Sequence, residues 1–563
     1  MQADHKAYVT PALVTEKAVR RLPRWALWMF CAAYVLPGLF GRDPWKNADI
    51  ASFGQMWSLA LGQASWWSPH VGGVSPAGGG ILPYWLGGGF IAALSPVMDP
   101  ALAARIPFAL LLGAVLALTW YTTYHLARTD AAQPLPLAFG GEAPAADYAR
   151  ALADGALLAL VATLGLLQMG HETTPELLQL TGSALFMYGL AAAPSRDIKA
   201  RLATVGSVAL LATSGSPSVA MLLTAVGVVV CRYSQDEAMH RYTWWVAGAG
   251  VLGAALATGL TLAHLSGWNW LVGRDLSAGP LLRLFIWFTW PALPLAALTV
   301  WKWRRQLLRR HIAVPLCSAL VGMLACLAMG GSDRALLHAL PPLAVLAAFA
   351  LPALKRGLSG AIDWFSVFFF TIGALAVWLV YVAMHTGWPP KTASNVAKLV
   401  PGYTADVSWV SLGFALLGTL AWLALVRWRT ARHRAALWKS LVLPAGGVAL
   451  SWLLMMTLLL PALDQARSYR LLLDRVSAHV REGQCVLAPN ASAGLLTALE
   501  YFGQHTVYGQ TGVERYPPAG CQWLMISLSA RQDAPSPPGW AFVARERQRT
   551  QNSESVAIYR RQR

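Results

Sequence analysis

The sequence predicts a polytopic α-helical membrane protein that ends in a small soluble α/β domain. Three observations carry that expectation. Over the 563 residues, 56% are hydrophobic and only 12% charged, where ordinary soluble chains carry about 25% charged residues. Mean hydropathy is +0.46. The apolar residues gather into runs near the ~20 residues that a bilayer crossing requires, and beyond residue 461 the runs shorten and polar residues return.

The runs fall near 24–40, 102–125, 151–169, 177–193, 201–214, 216–231, 242–262, 284–301, 312–329, 335–353, 364–386, 407–426 and 440–461. That is about thirteen transmembrane helices. The two short runs around Ser214-Gly215-Ser216-Pro217 read as tilted helices joined by a tight turn, or as broken helices. Residues 1–461 are read as the membrane domain, with a first external loop over 41–101. Residues 462–563 are read as the soluble domain.

Orientation comes from the positive-inside rule. With the N-terminus in the cytoplasm, the cytoplasmic segments carry 24 Lys and Arg, and the external loops before the tail carry 8. An odd number of spans then puts the C-terminus outside. The N-terminal run ends in Leu36-Pro37-Gly38-Leu39-Phe40 without a small-x-small cleavage site, so it is read as a retained span. The segment from Asp130 to Asp147 is rich in Ala, Pro and Gly and reads as a cytoplasmic loop. The expected location is a bacterial inner membrane, with a periplasmic C-terminus.

In the soluble domain, Cys485–Ala488, Trp523–Ile526 and Trp540–Val543 read as strands. Leu471, Leu472, Val476 and Val480 have helical spacing. Cys485 and Cys521 are able to pair if the domain faces an oxidising space. The other four cysteines lie in or beside apolar runs and read as small core residues. No cysteine and histidine spacing suggests a metal. The net charge of +18 is accounted for by topology, because the basic residues sit between spans; nucleic acid is not an expected partner.

The external loops collect acids and bases on one side of the membrane. The first offers Asp43, Lys46, Asp49 and His70. The second offers His171, Glu172 and Glu176. A later one offers His264, Trp268, Asn269, Trp270, Arg274 and Asp275, and another Ser332, Asp333 and Arg334. Arginine and lysine suit a lipid phosphate. A carboxylate suits removal of a proton from an acceptor hydroxyl or amine. Each residue also has a plainer reading. Asp49 is a loop acid or a helix cap, and Glu176 complements the positive end of a helix. Arg274 and Arg334 are interfacial anchors, and Trp268 and Trp270 belong to an aromatic belt.

The stretch from Gly41-Arg42-Asp43-Pro44-Trp45-Lys46-Asn47-Ala48-Asp49-Ile50, through Leu82-Pro83-Tyr84-Trp85, to Ala104-Arg105-Ile106-Pro107 resembles the first external loop of a known family. That family is the polyprenyl-phosphate-sugar-dependent membrane glycosyltransferases, which include protein O-mannosyltransferases and aminoarabinose transferases. Gly170-His171-Glu172-Thr173-Thr174-Pro175-Glu176-Leu177 is similar to its second acidic segment, and Gly331 through Pro342 to a later loop-to-helix motif. The resemblance implies a GT-C fold and a polyprenyl-phosphate sugar donor. The acceptor would be an envelope glycolipid, lipid A-like, or a protein. It implies Asp49 and Glu176 as catalytic residues. Substrate contacts are expected from Asp43, Lys46, Tyr84, Arg105, His171, Arg274 and Arg334. No cofactor is expected to be required and no metal site is expected; metal dependence varies across the family, so a divalent cation stays open.

The departures are specific. Gly78-Gly79-Gly80-Ile81-Leu82 stands where many relatives have an acid and a phosphate-binding lysine. A cation often found after the fifth span is replaced by Ser214-Gly215-Ser216-Pro217. Lys46 or Arg274 is able to supply the missing charge. The alternatives are a relative that binds the lipid-linked sugar without turnover, or a transporter. A transporter would place polar groups at midplane and show internal repeats, and the sequence shows no convincing repeat.

Overall fold

The computed structural model describes residues 10–562 except 13, 20, 77, 79, 137–140, 264–267, 269–276, 431–435, 511–519, 530–531, 548–554 and the side chain of residue 17. Each predicted apolar run contains helix. Seven described helices are long and apolar enough to cross a membrane: Pro100–Ala127, Glu237–Leu262, Arg310–Ala328, Asp333–Ala353, Arg356–Thr386, Trp409–Thr430 and Lys439–Leu458. Two predicted runs are not single helices. The run at 151–169 divides at Thr163 into Ala145–Val161 and Leu164–Met169. The run at 284–301 becomes Ala278–Phe288 and Ala292–Lys302, bent by 89°, and would make an eighth span if counted as one. Pro291 sits at that bend; it has no N–H to continue the helical ladder.

The centre of the bundle is the helix Ala145–Val161, in which nearly every side chain is buried. It packs on Pro100–Ala127, Leu340–Ala350 and Lys439–Leu458. Its composition explains its place: alanine and leucine on every face suit an all-round buried helix. Arg356–Thr386 and Trp409–Thr430 lie at the edge, with only 17% and 11% of their apolar windows buried. Trp364, Phe368, Ile372 and Leu417 point outward there, as lipid contact requires.

The C-terminal domain is a five-stranded sheet. Its strands are β1 Cys485–Leu487, β2 Thr506–Tyr508, β3 Trp523–Leu528, β4 Trp540–Arg547 and β5 Ser555–Arg561. The order is β2-β1-β3-β5-β4. The first three run parallel, and β5 and β4 are antiparallel to their neighbours. A disulfide joins Cys485 to Cys521. The strands β2 and β5 and the helix Ala493–Tyr501 had no clear signal in the sequence.

The first external loop does not stand apart from this domain. Its helix Ala48–Ala60 lies against Ala493–Tyr501. A Cβ on Gly54 would fall 1.8 Å from Thr497 Oγ1, so only glycine allows that approach. Ile50 and Val71 share a buried core with Val486, Leu495, Leu496 and Ile558. The tip of the loop is tied down by Gly509 N–H donating to Gly72 O at 2.7 Å and by Gln510 Nε2 donating to Gly73 O at 3.0 Å. Trp45 Nε1 donates to Asp464 Oδ1 at 2.6 Å. The loop is therefore clamped between the bundle and the domain.

Candidate active site

Asp49 lies in the first turn of the helix Ala48–Ala60 and is 1% exposed. Both carboxylate oxygens are occupied. Oδ1 accepts from Thr173 N–H and Thr173 Oγ1, each at 2.8 Å. Oδ2 accepts from Trp45 N–H at 3.1 Å and Arg42 Nη2 at 3.4 Å. Burial pushes this carboxyl up, but the charges of Arg42 and Arg105 and the two Thr173 bonds outweigh it and hold the carboxyl below its ordinary value. Asp49 thus stays ionised and fixes the turn that carries Thr173.

Arg42 is equally buried, at 2% exposure. Its Nη2 also donates to His171 O at 2.6 Å, and its guanidinium lies 4.8 Å from the Trp45 ring. His171 is half-buried against Trp452 and Tyr34. Its Nδ1 is 2.6 Å from Leu167 O and its Nε2 2.7 Å from Tyr34 O. Only a doubly protonated ring satisfies both carbonyls. Burial opposes that charge, as does Arg42, and the pKa falls to about 4.

The turn from Gly170 to Thr174 opens the helix Pro175–Ala192. Proline at the first helical position needs no N–H partner, and Glu176 in the first turn complements the positive helix end. Arg334 comes from the short helix Asp333–Leu336 and reaches this turn. Its Nη2 donates to Glu172 Oε2 at 2.6 Å and its Nη1 lies 3.4 Å from Glu176 Oε2. Glu172 Oε1 accepts from Gln168 Nε2 at 2.9 Å. Burial, then the charge of Asp49, pushes the Glu172 carboxyl up against the pull of Arg334. Glu172 has 5% of its side chain exposed, whereas Glu176 and Arg334 each have 25%.

The predicted residues therefore divide into three groups. Asp49, Arg105 and His171 belong to the buried group around Arg42. Arg105 is buried at the start of Pro100–Ala127, close enough for its charge to act on Asp49. Glu176 and Arg334, each a quarter exposed, form a second group with the buried Glu172 and Tyr84. Tyr84 is buried in the helix Leu82–Leu94, and burial and the Glu176 charge push its phenol pKa up. Asp43 and Lys46 face the soluble domain instead. Asp43 makes a two-point ion pair with Arg470, at 3.0 and 2.6 Å. Lys46 Nζ lies 5.2 Å from the Tyr469 ring. Arg274 lies outside the described residues, as do His264, Asn269, Trp270 and Asp275. Among the described residues no three His, Cys, Asp or Glu side chains stand together as a metal site.

Arg42, Gln168 and Arg467 were not among the expected site residues. Arg42 sits one residue from Asp43 in the matched stretch, and its burial is what distinguishes it. Gln168 lay inside an apolar run and Arg467 beyond the last span, so neither carried a signal.

The two departures from the family pattern meet in space. Gly80, at φ +80°, packs against the turn at Ser214 and Gly215. A Cβ there would fall 2.5 Å from the Ser214 carbonyl carbon. Ile81 N–H donates to Thr213 O at 3.0 Å, and Gln179 Nε2 to Ser214 O at 2.7 Å. The stretch that ends in Leu82 and the turn at Ser214 are thus held together backbone to backbone.

No protein-family model and no curated protein sequence matches the chain. Solved structures do. ArnT from Cupriavidus metallidurans bound to undecaprenyl phosphate matches with a TM-score of 0.60 and 14% identity, covering 95% of this chain and 96% of that one. The same protein in its apo state gives a TM-score of 0.60 at 15% identity over the same shares. The oligosaccharyltransferase of Archaeoglobus fulgidus also aligns, at a TM-score of 0.32 and 9% identity, covering 90% of this chain and 67% of that one; that likeness is too slight to bear on the fold. The seven spans, the helical first loop and the C-terminal sheet domain, with the match over nearly the full length of both chains, make this a multi-pass membrane protein with the GT-C fold of the aminoarabinose transferase ArnT.

Proposed function

We propose that this chain is an inner-membrane glycosyltransferase that moves a sugar from a polyprenyl-phosphate carrier to an envelope glycolipid or protein. The observation that carries the reading is the Glu172–Arg334–Glu176 cluster at one end of a GT-C bundle, where a guanidinium and a carboxylate, each a quarter exposed, stand side by side. The N-terminus lies in the cytoplasm and the cluster faces the periplasm, in keeping with the basic loops at the other end.

In this reading Glu176 is the proton acceptor. It takes the proton from the acceptor hydroxyl or amine as that atom attacks the anomeric carbon. The bond from that carbon to the phosphate oxygen breaks, and polyprenyl phosphate leaves with the electron pair. Arginine stabilises the charge that develops on the phosphate. Asp49 is saturated with hydrogen bonds, so its part is to hold Arg42 and the Thr173 turn in place.

The test is release of polyprenyl phosphate by purified protein in lipid, with a panel of polyprenyl-phosphate sugars and envelope acceptors. Release by the wild type and a loss of about 100-fold or more in Glu176→Gln, with donor binding intact, supports the reading. Release unchanged in Glu176→Gln removes Glu176 from the chemistry. A second reading, a binder without turnover, draws on the closed contact at Gly80; binding of donor with no release by the wild type would favour it.

A further inference from the structure

The donor of the proposed reaction is anionic, so cations of this chain must hold its headgroup. Arg334 is one, already at the cluster. A second arrives from outside the bundle. Arg467 ends the helix Leu460–Arg467, which joins the last span to the soluble domain. Its side chain is exposed. It lies 5.0 Å from the Trp45 ring, while Arg42 lies 4.8 Å from the same indole, and such contacts fix a guanidinium plane. Its Nη1 donates to Gln168 Oε1 at 2.9 Å. Gln168 in turn donates to Glu172, and Glu172 accepts from Arg334. Two guanidiniums thus flank one amide and one carboxyl in a continuous hydrogen-bonded row.

The row stands at one end of the helix Leu164–Met169. The other end of that helix, Leu164 and Gly165, lines a groove of about 920 Å³ with Arg283, Leu284, Trp287 and Phe288. From Gly165 to Gln168 is three residues, a rise of about 4.5 Å.

We propose that Arg467 and Arg334 together bind the phosphate of the lipid carrier. This rests on the donor reading above. Arginine suits the task because its planar fork meets phosphate oxygens at two points. The charge of Glu172 is opposed by burial and countered by its ion pair with Arg334, which lessens its repulsion of a phosphate. The consequence is that the seating of the soluble domain positions half of the phosphate site.

The experiment uses the full-length protein in neutral-lipid nanodiscs, with undecaprenyl phosphate as the probe and inorganic phosphate as competitor. Arg467→Gln is expected to weaken binding at least tenfold and Arg467→Lys to recover part of it, with a shallower salt dependence in Arg467→Gln. Arg470→Gln breaks the Asp43 pair that also seats the domain, and is expected to bind as the wild type does. Wild-type binding that Arg467→Gln leaves within twofold overturns the proposal and spares the donor reading. Equal weakening by Arg467→Gln and Arg470→Gln also overturns it, since the effect is then one of domain seating. Absence of binding by the wild type sinks the donor reading and this proposal together. Inorganic phosphate displacing the probe at millimolar concentration would confirm the headgroup site; displacement by unphosphorylated polyprenol alone would refute it.

Discussion

Asp49→Asn tests the buried group directly. Each Asp49 oxygen accepts from two donors, and all four donors come from Arg42, Trp45 and Thr173. An asparagine amide must point its NH₂ at one of those donor pairs, whichever way it turns. Loss of the charge also leaves the Arg42 guanidinium buried opposite a neutral group. Removing one partner of a buried pair costs about 3–5 kcal/mol, and we expect that loss here. Replacing the pair by apolar residues of similar size costs much less. Arg42→Met with Asp49→Leu should therefore be more stable than Asp49→Asn alone. A double-mutant cycle read by denaturant titration in mixed micelles should give a coupling of about 2 kcal/mol or more. Additivity within about 0.5 kcal/mol, or an Asp49→Asn protein as stable as the wild type, would refute the assignment of Asp49 as a structural lock.

Other outcomes follow from the same geometry. Placing a side chain at Gly80, as in Gly80→Lys, should lower stability by at least about 1–3 kcal/mol, because φ is +80° and the Ser214 backbone fills the space; a shift in melting temperature reads it, and an unchanged melt contradicts it. Glu500, which accepts from Gly72 N–H, has its carboxyl pushed from an ordinary 4.5 up to about 7 by burial. The folded state then holds the proton more tightly, so docking of the loop tip should weaken as pH rises from about 4.5 to about 7 and level off above; hydrogen exchange at Gly72 and Gly509 follows it, and Glu500→Gln should flatten the profile. Replacing Cys485 and Cys521 by serine opens a link between residues 36 apart and should cost the domain about 4 kcal/mol, read as earlier proteolysis of the C-terminal domain with the bundle intact.

Much of the fold is legible in the sequence. Run length and the Lys and Arg between runs mark the spans, and the return of polar residues after 461 marks the sheet domain. The breaks at Thr163 and Pro291 escape a window of hydropathy, because hydropathy does not report helix continuity. Strands β2 and β5 escape because they are short or flanked by polar residues, and pairing with β1 and β3 supplies what their own sequence lacks. At the site, Asp49, Glu176 and Arg334 stand out as charged residues where external loops meet spans.

Sequence by itself determined the class of protein and the acids and arginines that its loops bring. It did so because burial in lipid constrains composition residue by residue. Only the tertiary structure decided their surroundings. Asp49 and Glu176 look alike along the chain, yet one is sealed by four donors and the other is a quarter exposed. Gly80 and Ser214 are 134 positions apart, and only packing brings them into contact. Arg467 reads as a linker residue until the soluble domain seats it on Trp45. Burial and hydrogen bonding are properties of neighbours in space, and no local pattern encodes them.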